Sequence, residues 1–433
     1  MVGLISDLSN TGALKIRYST KRVQAMVQED QVFRPRLKRG LPDGARITDG
    51  YEIHFGARLS PAQNHAQIVD GGNFPVPKDA TDRQFTFKPT IFASDYQIGL
   101  MTRYTSSSDV GAWNGGEMSR RPEELMSGHG KIIERTYVGT AGDGIVGTVE
   151  SDGTNTLVVA KPQGLALIPD NAFISVRIAA GSTVRDTLDL RQVTDRNLDT
   201  RTLTYSGADQ TAVAADPIYI VGELAQTLTG RDANGLRGQV DDGTNATTIH
   251  GLTRSAAGNS KLNSIVLSNG GERRNLTEQL LIQGNSECRE RVSKKPATLV
   301  MNYSQIEKYI EFVAPQRRFP AVGSGTQGKS TGYDQDQLHH YAPGVDMDFL
   351  TSPDCIPGEV YGVSWDAFFM YQKLESQWLS GSDVQDLMLL PGSNGASFKA
   401  SFGAHLVSIE NWGTDCPLAH FVIRDLKDRK LGD

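Results

Sequence analysis

Two stretches of alternating apolar and polar residues stand out in the first hundred positions. The apolar residues that share one parity are Ile47, Tyr51, Ile53 and Phe55 in the first stretch and Phe85, Phe87 and Ile91 in the second. A period of two predicts two half-buried strands. The polar connection over residues 59–82 contains Pro61, Pro75 and Pro77, and it is too long for a tight hairpin turn. The pattern therefore predicts a long β-arm over residues 46–99.

This β-arm needs a surface to lie on, because each strand has only one thin apolar stripe and an isolated two-stranded ribbon is marginal in water. No other stretch of the sequence looks like a dedicated cover. We therefore expect a neighbouring subunit to cover the arm, and the alternative is a long hairpin on the surface of its own domain. The residues predicted to make this inter-subunit contact are Tyr51, Ile53, Phe55, Phe85 and Phe87.

A basic run precedes the β-arm. It consists of Arg34, Arg36, Lys38 and Arg39, and the adjoining Pro35 disfavours regular structure. The pattern predicts an extended arm over residues 1–45, with one helix over residues 15–28. A solvated terminal tail would give the same pattern.

Helical spacing begins after the β-arm. The apolar residues on this spacing are Leu125, Met126, Ile132, Ile133 and Tyr137. They predict a helix from about residue 121 to a stop at Gly139. A long helix that spans the subunit and an ordinary amphipathic helix share this periodicity.

Residues 142–223 differ in kind from the rest. Short β-prone runs alternate there with turn signals, and no run has a helical period. Several strands in succession without helices predict a small barrel or sandwich that is inserted as a unit.

The remaining sequence predicts a mixed α/β core. Residues 231–260 are predicted to be mainly loop, because Gly, Asn, Asp and Thr dominate them. Asn275 with Glu278 and Ser304 with Glu307 resemble capping boxes at the start of two helices, with an apolar strand over residues 298–301 between them. Residues 398–409 and 420–423 are predicted to be the last two strands, joined by a turn over residues 411–417.

Composition and charge exclude several classes of protein. Hydrophobic residues make up 38% of the 433 residues, and 45 glycines indicate a turn-rich, β-rich protein. The net charge of −6 argues against a basic nucleic-acid-binding domain. Cys288, Cys355 and Cys416 have neither metal nor disulfide spacing, which is typical of a reducing compartment. We predict no membrane span and no secretion signal.

Candidate chemistry is sparse, and the sequence predicts no catalytic residue, cofactor or metal. There is no phosphate loop, dinucleotide fingerprint or hydrolase nucleophile motif. The residues that resemble a metal cluster are Asp334, Asp336, His339 and His340, for which a solvated loop is the favoured interpretation. Asp241, Asp242 and Asn245 lack the spacing of a calcium loop and are better explained by turn chemistry.

Other conspicuous side chains are predicted to belong to the core. Cys288 lies on the apolar face of its helix. The aromatic residues Trp365, Phe368, Phe369 and Tyr371 are interpreted as core rather than as a platform for stacking bases.

The order of these parts resembles the major capsid proteins of tailed bacteriophages, the Hong Kong 97-like fold. The segments that carry the resemblance are residues 51–55 and 85–90 as the arms of the extension loop, 269–281 as the peripheral-domain helix, 299–304 and 317–319 as the axial domain, and 411–424 as the closing strands. The resemblance implies an α+β fold with an inserted small β-barrel. It rests on order and spacing, since no single motif is diagnostic.

The resemblance also implies a division of the chain. The expected parts are an N-terminal arm (1–45), the extension loop (46–99), a peripheral domain with a long spine helix (100–141), the inserted barrel (142–223), a further peripheral part (224–297), the axial domain (298–396) and the closing strands (397–433). Some family members cross-link the extension loop through a lysine. Lys78 lies near the tip of this loop, but no cross-linking partner can be assigned to it.

The function implied by the resemblance is structural. The chain would self-assemble into pentamers and hexamers of an icosahedral shell around double-stranded DNA, in a virion assembled in the host cytoplasm. Its expected partners are further copies of itself, a portal, and scaffolding or decoration proteins, without a membrane. The same fold also builds encapsulin compartments. The alternative from another class is a β-rich adhesin or carbohydrate-binding protein with exposed tryptophans, and a hydrolase is least favoured.

Contact with DNA would have to come from local basic clusters, because the net charge is negative. The predicted interior cluster consists of Arg34, Arg36, Lys38, Arg39, Arg120 and Arg121. Such contact would be nonspecific and sensitive to salt. The alternative is that these residues pair with acidic groups on neighbouring subunits.

Overall fold

The structure is a computed structural model. The residues that it describes are 31–48, 52–60, 67–68, 70, 81–99, 117–141, 145–160, 162–168, 172–178, 191–207, 212–220, 234–292, 294–313, 339–342, 345–378, 388–391 and 398–429. The helix predicted over residues 15–28 lies outside these ranges.

Strands dominate the described residues. The first half contains β1 (Arg46–Thr48), β2 (Glu52–Ser60), β3 (Thr81–Phe87), β4 (Thr90–Gly99), α1 (Glu117–Gly139), β5 (Gly147–Gly153), β6 (Thr156–Val159), α2 (Pro162–Leu167), β7 (Phe173–Val176), β8 (Arg191–Asn197), β9 (Thr202–Tyr205) and β10 (Pro217–Ile220). The second half contains α3 (Leu236–Gln239), β11 (Thr248–Ile249), β12 (Leu252–Thr253), β13 (Ile265–Leu267), α4 (Glu278–Arg291), β14 (Thr298–Met301), α5 (Tyr303–Val313), β15 (His339–Ala342), β16 (Val345–Thr351), β17 (Val360–Val363), β18 (Phe368–Trp378), β19 (Met388–Pro391), β20 (Phe398–Thr414) and β21 (Phe421–Ile423).

The chain divides into two compact units. The first comprises Met1–Pro35, Pro89–Arg135 and Tyr371–Asn411, and the second comprises Arg36–Lys88, Thr136–Met370 and Trp412–Asp433.

The first unit is organised by the long strand β20. β4 pairs with it antiparallel, from Thr90 opposite Glu410 to Gly99 opposite Ser401. β4 was predicted to belong to the β-arm, but it belongs to this sheet, so Ile91 is not part of the arm ladder. β20 also runs on to Thr414, so the closing turn begins later than residue 411, where it was predicted.

Helix α1 packs on this sheet, and its predicted period and its stop at Gly139 are confirmed. The buried His129 of α1 holds helix and sheet together, because its Nδ1 lies 2.9 Å from Ser94 Oγ and its Nε2 lies 3.0 Å from Ser408 Oγ. Burial lowers the pKa of His129 to about 4, and the ring is therefore neutral at pH 7.

The second unit contains a mixed six-stranded sheet in the order β13-β21-β17-β14-β16-β15. Helices α4 and α5 bury the apolar faces predicted for them against this sheet, including Leu281 and Cys288 on α4 and Ile306 on α5. Phe421 lies at the centre of this core. A Cβ on Gly362 would lie 2.0 Å from its ring, so only glycine fits beside it.

The two helix starts differ from prediction. The N-cap of α4 is Thr277 rather than Asn275, and no side chain caps it. At α5 the capping oxygen is Asn302 Oδ1, which accepts hydrogen bonds from the Ser304 amide at 3.3 Å and the Ser304 hydroxyl at 3.1 Å. The capping boxes predicted from residue spacing alone therefore placed both caps at the wrong residues.

Strands β5 to β10 close into a barrel in the order β10-β5-β6-β9-β8-β7. Leu157, Ile174, Val193 and other buried residues from these strands fill it. The short helix α2 was not predicted, because the sequence pattern of this region predicts only strands. Ile356, which lies outside the predicted insert, is fully buried in the same apolar cluster.

The barrel therefore depends on a residue from the rest of the chain. We expect Ile356→Ala to lower the free energy of unfolding by about 2–5 kcal/mol, because it leaves a cavity in a closed core. Denaturant titration followed by fluorescence measures this change. The matched control is Ile282→Ala on the exposed side of α4, which should change stability by less than about 0.5 kcal/mol. Equal effects of the two variants would show that the barrel core is independent of Ile356.

Candidate functional site: the base of the β-arm

The β-arm is a three-stranded ladder in the second unit, in the order β1-β2-β3. Phe55 faces Phe85 across β2 and β3, with ring centroids 5.0 Å apart, and Ile53 faces Phe87. All four side chains are buried within the chain itself. The alternation in the sequence predicted β2 and β3 and their inward-facing residues correctly. It was wrong for Ile47, which lies on the separate strand β1, and for Ile91 on β4, because both side chains are exposed.

The prediction that a neighbouring subunit covers this apolar stripe is wrong. His250 and Phe369 of the same chain pack against the arm, with ring centroids 5.3 Å apart for Phe85 and His250 and 5.1 Å for Phe87 and Phe369. Ile53, Phe55, Phe85 and Phe87 are thus not free to form the predicted contact with a neighbouring subunit. Tyr51, the fifth predicted residue, lies outside the described residues.

His250 reaches the arm from the tip of the hairpin β11–β12. His250 and Gly251 form the two-residue turn, with φ of +46° and +81°. Positive φ at both positions is the signature of a type I′ turn, which matches the twist of a hairpin. A side chain at positive φ costs about 1–3 kcal/mol. Edge-on or tilted contacts with four phenylalanine rings, at about 0.5–1.5 kcal/mol each, offset that cost.

Hydrogen bonds fix both ends of His250. Its carbonyl accepts the Thr86 amide of β3 at 2.9 Å. Its Nε2 donates to the Thr414 carbonyl at 3.2 Å, which requires the proton to reside on that nitrogen. Burial lowers the pKa of His250 to about 3, so the ring is neutral at physiological pH.

Gly413 allows the ring of His250 to lie this close to β20. A Cβ at position 413 would lie 2.4 Å from His250 Cε1 and 3.1 Å from the Phe369 ring. The first distance is too short for a real contact and the second is tighter than most real contacts, so a larger residue would displace the imidazole.

Asp241 makes the loop that carries His250 rigid. Its Oδ2 accepts the amides of Gly243, Asn245 and Ala246 at 2.9–3.0 Å, and its Oδ1 accepts Arg424 at 2.6 Å. Burial alone would raise the pKa of Asp241, but the hydrogen bonds from Ala246 and Arg424 lower it overall. The predicted turn chemistry is confirmed, and the backbone amides occupy the oxygen that a calcium ion would need.

Arg254 makes the same loop rigid from the other side. Its buried guanidinium donates to the carbonyls of Gly238 and Asp241 at 2.7 Å, and also to those of Gln239 and Leu262. Burial lowers the pKa of Arg254 to about 10, and the group stays charged at pH 7. Residues 231–260, predicted to be mainly loop, are therefore a compact scaffold rather than a loose connection.

Contacts within the first unit show what Arg34, a member of the predicted basic cluster, does. Arg34 is buried, and its Nε and Nη2 donate to the two carboxylate oxygens of Glu410 at 2.7 and 2.5 Å. Glu134 of α1 accepts the amides of Val32, Phe33 and Arg34 at 2.6–3.2 Å. Arg34 pairs inside its own subunit, so the prediction that it faces DNA is wrong.

The other members of the basic cluster differ from Arg34. Arg36, Lys38 and Arg39 are exposed, and the backbone of Lys38 and Gly40 bonds to Met370. Arg120 and Arg121 lie on α1, and their side chains are outside the described residues.

The remaining candidate residues are distributed as follows. Among the described residues, no group of three or more His, Cys, Asp or Glu side chains could hold a metal ion, and no helix could span a membrane. Asp334 and Asp336, and the side chains of His339 and His340, lie outside the description, as does Lys78. Cys288, Phe368 and Phe369 are buried as predicted, whereas Tyr371 and Trp365, also predicted to be core, are half-buried. Of the tryptophans considered for glycan binding, Trp378 and Trp412 are buried, and Trp113 lies outside the described residues.

The sequence did not lead to a prediction of the roles of His250, Gly413 and Arg254 at the base of the arm. A signal for His250 was present, because a His-Gly pair stands between Ile249 and Leu252, as a two-residue hairpin requires. No local pattern marks Gly413 or Arg254, whose partners are distant in sequence.

Comparison with known proteins places phage shells among the structural matches. No protein-family model matches the chain, and no curated protein does. A solved capsid of cyanophage A-1(L) matches 93% of this chain and 93% of its own at 10% identity, with a TM-score of 0.49. The procapsid of satellite phage P4 matches 94% and 99% at 8% identity, with a TM-score of 0.39. A virus-like particle from Pyrococcus furiosus matches 93% and 96% at 6% identity, with a TM-score of 0.35.

We expect Gly413→Ala to destabilise the chain by about 1–3 kcal/mol, because the new methyl group overlaps the His250 ring. Chemical denaturation measures the loss. Gly56→Ala on β2 is the control, since its Cβ meets nothing within 4 Å. In the background of His250→Ala the Gly413→Ala cost should shrink, which a double-mutant cycle detects. Additive costs would show that the ring and Gly413 are not in contact.

We expect Arg34→Gln to lower stability by about 3–5 kcal/mol in the absence of DNA, because it leaves Glu410 buried without its cation. Arg36→Gln, at an exposed position, should stay within about 0.5 kcal/mol of the parent chain. The same denaturation measurement serves both variants. If Arg34→Gln is as stable as Arg36→Gln, the buried ion pair is not a structural contact.

Proposed function

We propose that the chain is the major capsid protein of a tailed bacteriophage and has no enzymatic activity. Copies of it assemble into pentamers and hexamers of an icosahedral shell around double-stranded DNA. The observation that carries the proposal is a β-arm clamped at its base inside one subunit, with a long connection beyond its last paired residues. The support for this function comes from the order and the contacts of the chain's own elements.

The arrangement of parts supports this proposal. The chain contains, in order of their first strands or helix, a β-arm, a 23-residue helix, a closed β-barrel and a mixed six-stranded sheet. In a shell subunit of this kind, the arm extends from the body of the subunit. The mixed sheet combines β14 to β17 of the expected axial domain with β13 and β21, which the expected division gave to the peripheral part and the closing strands. We propose the Hong Kong 97-like division of the chain with these two strands moved into the axial domain.

The surface available for assembly differs from the one first predicted. The aromatic stripe is already covered, whereas Ile47 on β1 is 51% exposed and Ile68 in the connection is 44% exposed. We infer that these two side chains, on the edge strand and beyond the ladder, contact the neighbouring subunit. Repeated heterologous contacts of this type close into rings.

Contact with the genome would fall to members of the predicted basic cluster other than Arg34. Arg36, Lys38 and Arg39 are exposed to solvent, whereas Arg34 is buried on Glu410. Such contact is nonspecific and weakens steeply with salt. A portal and scaffolding or decoration proteins are the further partners that the proposal implies, in a virion formed in the host cytoplasm.

Electron microscopy of the purified chain tests the function. We expect closed shells or capsomer-sized rings from the parent chain. Removal of residues 61–80, with a short turn joining Ser60 to Thr81, should leave a folded subunit that no longer forms stable shells. An equal-length Gly/Ser replacement separates loss of contacts from loss of length.

A point variant gives a finer test of the same contact. Ile68→Asp should reduce assembly at a given protein concentration, because a charge is desolvated in the interface. Ile68→Val is the matched control and should assemble normally. Monomers of the parent chain under all conditions would refute the shell function, and intact shells from the deletion variant would refute the role of the arm. Shells that enclose protein instead of DNA would indicate an encapsulin compartment.

A further inference from the structure

Thr414 at the end of β20 joins two buried histidines. Its carbonyl accepts Nε2 of His250 at 3.2 Å, and its hydroxyl lies 3.0 Å from Nε2 of His420. Its amide donates to Gln239 Oε1 at 3.3 Å, and its hydroxyl also accepts the Cys416 amide at 3.2 Å. The backbone and hydroxyl groups of Thr414 are therefore all engaged.

The tautomer of His420 is fixed by its surroundings. Nδ1 accepts the amide of Ser364 at 3.2 Å, so this nitrogen carries no proton. The proton lies on Nε2, which donates to the Thr414 hydroxyl. The ring also stacks on Phe368, with centroids 4.2 Å apart and planes 12° from parallel.

These bonds form a continuous path from the β-arm to the core sheet. The amide of Thr86 donates to His250, His250 donates to Thr414, and His420 bonds to both Thr414 and Ser364. His420 reaches the arm by the hydrogen bonds through Thr414 and also by its stacking on Phe368, the neighbour in sequence of Phe369, which packs against Phe55 and Phe87.

The path requires His420 to be neutral, because a protonated His420 has no acceptor for the Ser364 amide. A protonated His250 would keep its hydrogen bonds to Thr414 and Thr86, but its charge would be buried among phenylalanine rings. The charged groups that act on the two rings are cations: Arg254 on the His250 side and Lys294, paired with Asp415 at 3.2 Å, on the His420 side. Burial lowers the pKa of each ring to about 3. The hydrogen bond to the Thr414 carbonyl raises the pKa of His250, whereas Arg254 lowers it, and Lys294 lowers the pKa of His420.

We propose that His250, Thr414 and His420 form an acid-sensitive latch that holds the base of the β-arm, with His420 acting on the arm through Thr414. Each ring binds a proton near pH 6.5 when the latch is open and only near pH 3 when it is closed. Between these values the open state binds more protons, so acid favours opening and rising pH favours closure. The proposal concerns one subunit and does not depend on the shell function.

Hydrogen exchange of the Thr86 amide, followed by mass spectrometry on the full chain, reports opening of the latch. If both histidines titrate on opening, the protection factor should fall about 600-fold from pH 7 to pH 5, against about 25-fold for one histidine. Thr414→Val removes the hydroxyl that bonds to His420 and keeps the carbonyl that bonds to His250. We expect it to reduce the response to the one-histidine value, whereas Thr414→Ser should retain the full response.

Two further variants test whether His420 itself titrates and whether the response is specific to the latch. His420→Gln keeps a neutral donor toward Thr414 and removes the titrating group, so it should reduce the pH response in the same way. His129→Gln removes a buried histidine that is not part of the latch, and it should leave the response of Thr86 unchanged. An unchanged response in both Thr414→Val and His420→Gln would overturn the proposal. A reduced response in His129→Gln would also overturn it, because the amide would then exchange through global unfolding.

Discussion

The insertion of one histidine ring into the root of the β-arm is the contact on which the second unit depends most. His250 sits at a positive φ, which is unfavourable for any residue with a side chain, and it remains there because four phenylalanine rings and two hydrogen bonds surround it. Its neighbours are adapted to it. Gly413 leaves room for the ring, and Arg254 and Asp241 hold the loop that presents it. A loss at any of these positions is therefore expected to reach the arm through His250.

Sequence patterns predicted the elements whose signal is local. Strands β2 and β3, helix α1 and strand β14 follow from a period of two, a period near 3.6 and a short apolar run, and each of them exists. The cover of the arm could not be found in this way. It consists of single side chains from a turn and from the start of β18, and nothing in their local sequence states what they face. Absence of an amphipathic partner in the sequence is thus weak evidence for a partner subunit.

The basic run shows the same limit for charges. Arg34 and Arg36 are two positions apart, but the first is buried on Glu410 and the second is exposed. Glu134 and Glu410 hold Arg34 and its backbone, and both lie about a hundred or more positions away in sequence. Clustering along the chain predicts a local field only where all the side chains reach the same surface. A buried arginine that donates two hydrogen bonds to one carboxylate instead fixes the geometry of the segments that the pair joins.

An arm that is covered by its own subunit is compatible with assembly, and it should bind a neighbouring subunit more tightly than an arm that becomes ordered only on binding. A ribbon that is ordered only on binding loses conformational entropy at that moment, which subtracts from the affinity of the contact. The clamp removes this cost, because the ladder from Ile53 to Ser60 is already paired with β3 and rooted on His250 and Phe369. The aromatic stripe then acts on the interface indirectly. In the proposed assembly it would fix the direction of the arm, while the contact itself would fall to exposed residues such as Ile47 and Ile68. Affinity between subunits would thus be set by a small apolar surface presented on a rigid support, and it would be sensitive to whatever loosens that support from within.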